Sequence, residues 1–191
     1  MTKKARTQTE IHSLIAERWS PRSFDEDAII SDDDVLGLLE AARWAPSASN
    51  NQPWRFAVAK RGDELFGQLH DCLAGFNKAW TPRAAAMVLL AIETVDAEGK
   101  PRRWAHYDAG LAASLLTVEA HARGYHVHTM AGFDHDAVKA FLNLGDTVEP
   151  LTILAIGKIA PADQLEEVLH AREIADRQRL PLDDLLIRPL S

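Results

Sequence analysis

The sequence predicts one α+β domain, on three observations. Met87–Ile92 and Leu151–Ile156 are short apolar runs of the kind found in strands buried on both faces. Stretches with helical spacing of apolar residues alternate with them. No repeat or linker breaks the pattern, so residues 1–191 are expected to fold as a single domain, a length that supports one sizeable core.

The first helix is expected from Thr9 to Trp19, with Ile11, Leu14, Ile15 and Trp19 on one stripe. Ser20-Pro21 ends it, because a residue before proline is steered out of the helical region. Ser31 caps the second helix. Asp32, Asp33 and Asp34 lie in its first turn, where the helix dipole favours negative charge. Val35, Leu38, Leu39 and Ala42 form its apolar face, and Pro46 closes it. Phe56–Lys60 reads as a strand, Asp63–Gly75 as a helix, and 96–103 as a loop holding Gly99 and Pro101. Ala105–Arg123 is a long helix, apolar on more than one face and therefore buried on several sides. Gly124 stops it. His126–Met130 is a strand, Asp134–Asn143 a helix and Ala162–Ala175 an exposed helix. From Arg179 to Ser191, Pro181 and Pro189 divide apolar-rich pieces that read as an arm.

Composition narrows the function. A formal net charge of −7 argues against bulk nucleic-acid binding, so a phosphate-bearing ligand needs a local basic cluster. One cysteine, Cys72, allows neither a disulfide framework nor a zinc quartet and fits a reducing cytoplasm. The basic start, Met1 to Arg6, lacks the apolar stretch of a signal peptide. The longest apolar run, Ala84–Ile92, is too short to span a membrane.

Four segments carry residues that folding alone does not require. Arg18 falls inside the apolar stripe of the first helix, where a guanidinium needs an anion. A carboxylate such as Asp25 could serve, or a phosphate shared with Ser20 and Arg22. Ala45–Trp54 packs small and amide-bearing residues between two prolines, a long connection that is either a turn or a ligand loop. Met130-Ala-Gly-Phe133 ends a strand with small residues that allow close backbone approach, or a tight turn. Arg177 and Arg179 face the same way in extended chain and either pair on a dianion or sit exposed.

Taken together, in this order and across nearly the whole chain, these segments resemble the nitroreductase family of flavoproteins. The family's Arg-x-Ser-x-Arg/Lys element matches Arg18, Ser20 and Arg22. Its Pro-Ser-x-x-Asn-x-Gln-Pro-Trp element matches Pro46, Ser47, Asn50, Gln52, Pro53 and Trp54, the most specific signal present. Gly132, Phe133 and Asp134 match its strand-end segment, Asn77 its flavin-contacting Asn, and Arg177 and Arg179 its late phosphate clamp. The resemblance implies a central mixed or antiparallel sheet flanked by helices, in an intertwined homodimer with an extended C-terminal arm and two FMN sites at the interface. FMN is then expected at Arg18, Trp19, Ser20, Arg22, Asn77, Met130, Ala131, Gly132, Arg177 and Arg179. Pro46, Ser47, Ala48 and Asn50 would reach the flavin held mainly by the other subunit. Thr129, Met130 and Ala131 depart from the Pro, Ile or Glu common there, which leaves backbone contacts. The chain is too short for the long lid of the dehalogenating branch.

By the same resemblance, FMN carries the reaction and no protein nucleophile is required. NADH or NADPH reduces it, and a nitroaromatic, quinone or enal reoxidises it in the same pocket, by ping-pong. Arg22 would stabilise the reduced flavin electrostatically. Two other functions stay open: oxygen-dependent flavin fragmentation on the same fold, and a non-enzymatic FMN-binding module. His126 and His128 share one strand face but lack a third ligand at metal spacing, which favours a structural role. Trp19, Trp44, Trp80 and Trp104 read as core or interface, and Cys72 as inert. No metal, nucleic-acid or membrane partner is expected.

Overall fold

A computed structural model describes residues 3–188. Four strands, β1 (Trp54–Lys60), β2 (Ala86–Glu93), β3 (His126–Met130) and β4 (Val148–Gly157), pair in the order β1-β2-β4-β3. Every pairing is antiparallel, so of the two expected sheet types the protein builds the antiparallel one. β2 is buried along almost its whole length because helices cover both faces of the sheet. Its side chains alternate accordingly. Ala86, Val88, Leu90 and Ile92 pack with α2 (Asp32–Arg43) and α5 (Ala105–Ala122). Met87 and Leu89 face α3 (Glu64–Cys72), α6 (His135–Phe141) and α7 (Glu167–Ile174).

Local chemistry sets the helix ends. Ser31 accepts the Asp34 N–H at 3.0 Å, and Asp134 accepts that of Ala137 at 3.0 Å, as side-chain N-caps do. Alanine gives α5 its close approach: Ala105, Ala109, Ala112 and Ala120 are all buried. No helix among the described residues is long and apolar enough to cross a membrane.

Several expected boundaries are corrected. The Thr9–Trp19 helix contracts to α1, Ser13–Glu17, and Arg18 is already extended at φ −63°, ψ 131°. The Ala16 carbonyl, which a longer helix would use, instead accepts from Ala5 N at 2.7 Å and Arg177 Nη1 at 2.8 Å. Ile11 and Ile15 are consequently exposed rather than part of a buried stripe. The Ala162–Ala175 helix splits, because Leu165 is extended between a 3₁₀ turn at Ala162–Gln164 and α7. Nor is α7 exposed throughout, since Leu169 and Glu173 are buried. A helix not foreseen, α4 (Asn77–Trp80), is one turn long and too short to show periodicity. In the C-terminal stretch α8 (Leu182–Leu185) is a single exposed turn, tied by Leu182 N to Gln8 Oε1 at 2.7 Å. The expected arm's last residues, 189–191, lie outside the described residues.

Candidate functional site

The two ends of the chain meet in a cation-lined cavity of about 230 Å³. Arg18, Trp19, Ser20 and Arg22 line it from the irregular segment after α1, and Arg177 and Arg179 from the segment after α7; Asp176 lines it too, but pairs with Arg6 at 2.9 Å. Arg18 Nη1 stands 3.5 Å from Ser20 Oγ. Among the described residues, no carboxylate lies within ion-pair range of Arg18, Arg177 or Arg179, and Asp25 is not the partner of Arg18. Burial pushes the Arg18 guanidinium below its ordinary pKa, and Arg179 pushes it the same way. Arg177 is lowered by burial, then by Arg18 and Arg179. Such clustering of uncompensated positive charge calls for an anion.

The segment's path is fixed from below. His128 on β3 packs against Trp80, the rings tilted at 44° with centroids 4.6 Å apart, and bonds the Pro21 carbonyl at 2.9 Å. A carbonyl only accepts, so His128 Nδ1 carries the proton. Burial chiefly holds His128 at a pKa of about 4, and the ring is neutral. His126 is likewise held to about 4, by burial first and by His121 next. Both histidines pack as structural groups: His126 meets Trp19 edge-on at 6.4 Å and His121 at 5.0 Å.

A second cavity, of about 370 Å³, continues from Arg18 and Ser20 to Thr129 on β3 and Ser114 on α5. At the strand end Met130 is buried, and its carbonyl accepts the Thr152 hydroxyl at 2.8 Å. Ala131 and Gly132 are exposed. Gly132 adjoins Asn77: a Cβ there would come within 4.0 Å of Asn77 Nδ2. The Gly132 carbonyl accepts Ala74 N at 2.9 Å, so this pair is held between two paired loops. Asn77 opens α4, the helix missed in the sequence.

The Pro46–Asn50 segment is placed elsewhere. Pro46, Ser47 and Ala48 line a separate cavity of about 320 Å³ with Trp104, Tyr107, Asp108 and Leu111. Ser49, Asn50 and Gln52 all adopt left-handed backbone, with φ of 52°, 55° and 47°. For Ser and Gln this costs on the order of 1 kcal/mol each, strain of the sort that collects at ligand loops. Within one protomer these residues do not line the cation cavity with Arg18.

Two residues went unnoticed in the sequence. Asp108, 3% exposed, accepts Ala48 N with both oxygens at 3.2 Å and secures the strained loop to α5. Glu173, 2% exposed, accepts Arg22 N at 2.9 and 3.0 Å and Ser23 N at 3.0 Å, and lies 3.8 Å from the Arg22 guanidinium. The available signal for Asp108 was a carboxylate inside a helix apolar on several faces. Of the tryptophans, Trp19 and Trp80 are buried, whereas Trp44 and Trp104 are largely exposed. Cys72 is half-buried, and burial raises its thiol pKa, which suits an unreactive side chain.

Fold and site together define an α+β protein with a basic cavity built from both ends of its chain. The family model described as the nitroreductase family matches residues 15–79 and 66–158. The chain belongs to the nitroreductase family. A 15.4 kDa protein of Mycolicibacterium smegmatis is 35% identical over 138 residues, covering 69% of this chain and 92% of its own. The major NAD(P)H-flavin oxidoreductase of Aliivibrio fischeri is 32% identical over 80 residues, 42% of this chain and 36% of its own. A crystal structure described as an oxidoreductase containing FMN superposes with a TM-score of 0.90 at 33% identity, covering 96% of this chain and 93% of the other.

Proposed function

We propose that the protein is an FMN-dependent oxidoreductase that takes electrons from NADH or NADPH and delivers them by ping-pong turnover to an electron-poor acceptor: a nitroaromatic, a quinone or an enal. Its family membership and the FMN-containing oxidoreductase it superposes on support this reading. The observation that carries it is the cavity in which Arg18, Arg177 and Arg179 converge, none of them paired with a carboxylate among the described residues; Asp176, which also lines it, pairs with Arg6 instead.

The residues fit FMN. Arg18, Ser20 and Arg179 direct charge and a hydroxyl at one anionic group, the size of demand that a single phosphate meets. The chemistry FMN supplies when bound is two-electron transfer at N5, first from NAD(P)H and then to the acceptor. Arg22 places positive charge beside the ligand and favours its more negative, reduced form. The exposed backbone at Ala131 and Gly132, with the Asn77 amide, supplies hydrogen bonds to a planar polar ring.

The working unit in this reading is a homodimer. α5 leaves Tyr107 and Leu115 exposed, and the C-terminal stretch leaves Leu180, Leu182 and Leu185 exposed, apolar side chains that a partner subunit could cover. Pairing through α5 would bring Pro46–Asn50 of one subunit to the cation cavity of the other. The single cysteine suits an enzyme of a reducing cytoplasm.

Anaerobic titration tests the reading. NADH or NADPH should bleach the flavin absorbance, and a quinone or nitroaromatic should restore it. Arg22→Ala should be reduced more slowly at saturating FMN, by about tenfold if one charge interaction near 1.4 kcal/mol is lost. Bound flavin that no nicotinamide bleaches would indicate a binding module. Oxygen-dependent loss of the flavin itself would indicate the fragmenting reaction.

A further inference from the structure

We infer that Glu173 is a positioning residue that locks the two halves of the basic cavity together and so sets its selectivity for a phosphate-bearing ligand. This rests on the reading of the cavity as the FMN phosphate site. The halves come from opposite ends of the chain, residues 18–22 and 177–179, and nothing in local sequence holds them in register. They also repel: Arg18 with Arg177 and Arg179, and Arg22 with Arg172.

Glu173 answers the first problem from one buried place, and the second at Arg22. It sits on α7, four residues before Arg177. Its carboxylate accepts the backbone N–H groups of Arg22 and Ser23, and its carbonyl accepts the Lys3 ammonium. Its charge also offsets that of Arg22 at 3.8 Å. Three strands of chain thus meet on one residue. Such a carboxylate holds the Arg22–Ser23 backbone against α7 before any ligand arrives, which lowers the ordering cost of binding. An apolar side chain in its place would leave the Arg22 and Ser23 N–H groups without their acceptor and so release the segment.

The test compares FMN with riboflavin, which has the same ring and no phosphate. Apoprotein affinity for each is measured by fluorescence quenching in wild type, Glu173→Gln and Glu173→Asp, with melting temperature followed in parallel. Glu173→Gln should weaken FMN about tenfold or more, and riboflavin by less than about twofold, collapsing the ratio. Glu173→Asp keeps the charge but withdraws it by one methylene. It should lower the ratio about threefold, and it decides the matter if the Gln variant does not fold. Parallel losses for both ligands, or an unchanged ratio, would overturn the inference. Wild type that binds neither ligand would instead remove the flavin reading on which the inference stands.

Discussion

Replacing Arg18 and Arg179 together by alanine should weaken FMN binding by about two to three orders of magnitude, with little change in folding. On the proposed reading each guanidinium would make a charge-assisted contact worth about 1.5–3 kcal/mol, so each single substitution should cost about ten- to a hundred-fold. The double should fall somewhat short of the product, because the two groups repel each other and losing one relieves the other. Arg177→Ala belongs in the comparison for the opposite reason. Its Nη1 bonds the carbonyls of Lys3 and Ala16 at 2.7 and 2.8 Å, so its loss should lower melting temperature as well as affinity. Titration calorimetry with FMN, alongside thermal melts, separates these outcomes. Arg18 and Arg179 variants that bind FMN within twofold of wild type would place the phosphate elsewhere.

Acid should destabilise the protein through His128 well before the carboxylates titrate. The folded pKa is about 4 and the unfolded value about 6.5, and burial is the main cause. Between those values the unfolded chain binds a proton that the folded chain refuses. Stability is therefore full above pH 6.5 and is lost as pH falls toward 4, by about 3 kcal/mol in all and about 2 kcal/mol by pH 5. His126 adds a smaller term of the same sign, since it is more open to water. Urea unfolding at pH 7 and pH 5 reads the slope directly. His128→Phe keeps a ring against Trp80 while removing the titration, and it should flatten the slope even if it lowers stability at pH 7. An equally steep slope in His128→Phe would assign the acid sensitivity to other groups.

Features governed by near neighbours in the chain were legible in the sequence. The His126–Met130 strand has its expected ends, and the expected Ser31 cap forms its bond. Those depend on residues two or three positions away. The basic cluster was legible as a set of residues too, because a guanidinium set in an apolar or extended segment calls for an anion to face it. What escaped was decided at a distance. Whether α1 ends at Glu17 depends on Arg177 taking the Ala16 carbonyl, 161 residues away in the chain. Glu173 looked like one charge among many on an exposed helix, because its partners, Arg22 and Ser23, lie 151 and 150 residues away. Asp108 reads as a first-turn acid, and only the fold brings Ala48 to it. The left-handed backbone at Ser49 and Gln52 was equally hidden, since neither residue type favours it.

The central claim is that the cavity built by Arg18, Ser20, Arg177 and Arg179 holds the phosphate of FMN. The most direct measurement is the affinity of wild-type apoprotein for FMN, riboflavin and FAD under one buffer of fixed ionic strength. The account predicts that FMN binds about a hundredfold or more tighter than riboflavin, the worth of about two charge-assisted contacts, and that FAD does not displace it. Equal affinity for FMN and riboflavin would contradict it, because the arginines would then be meeting some anion other than the flavin's phosphate.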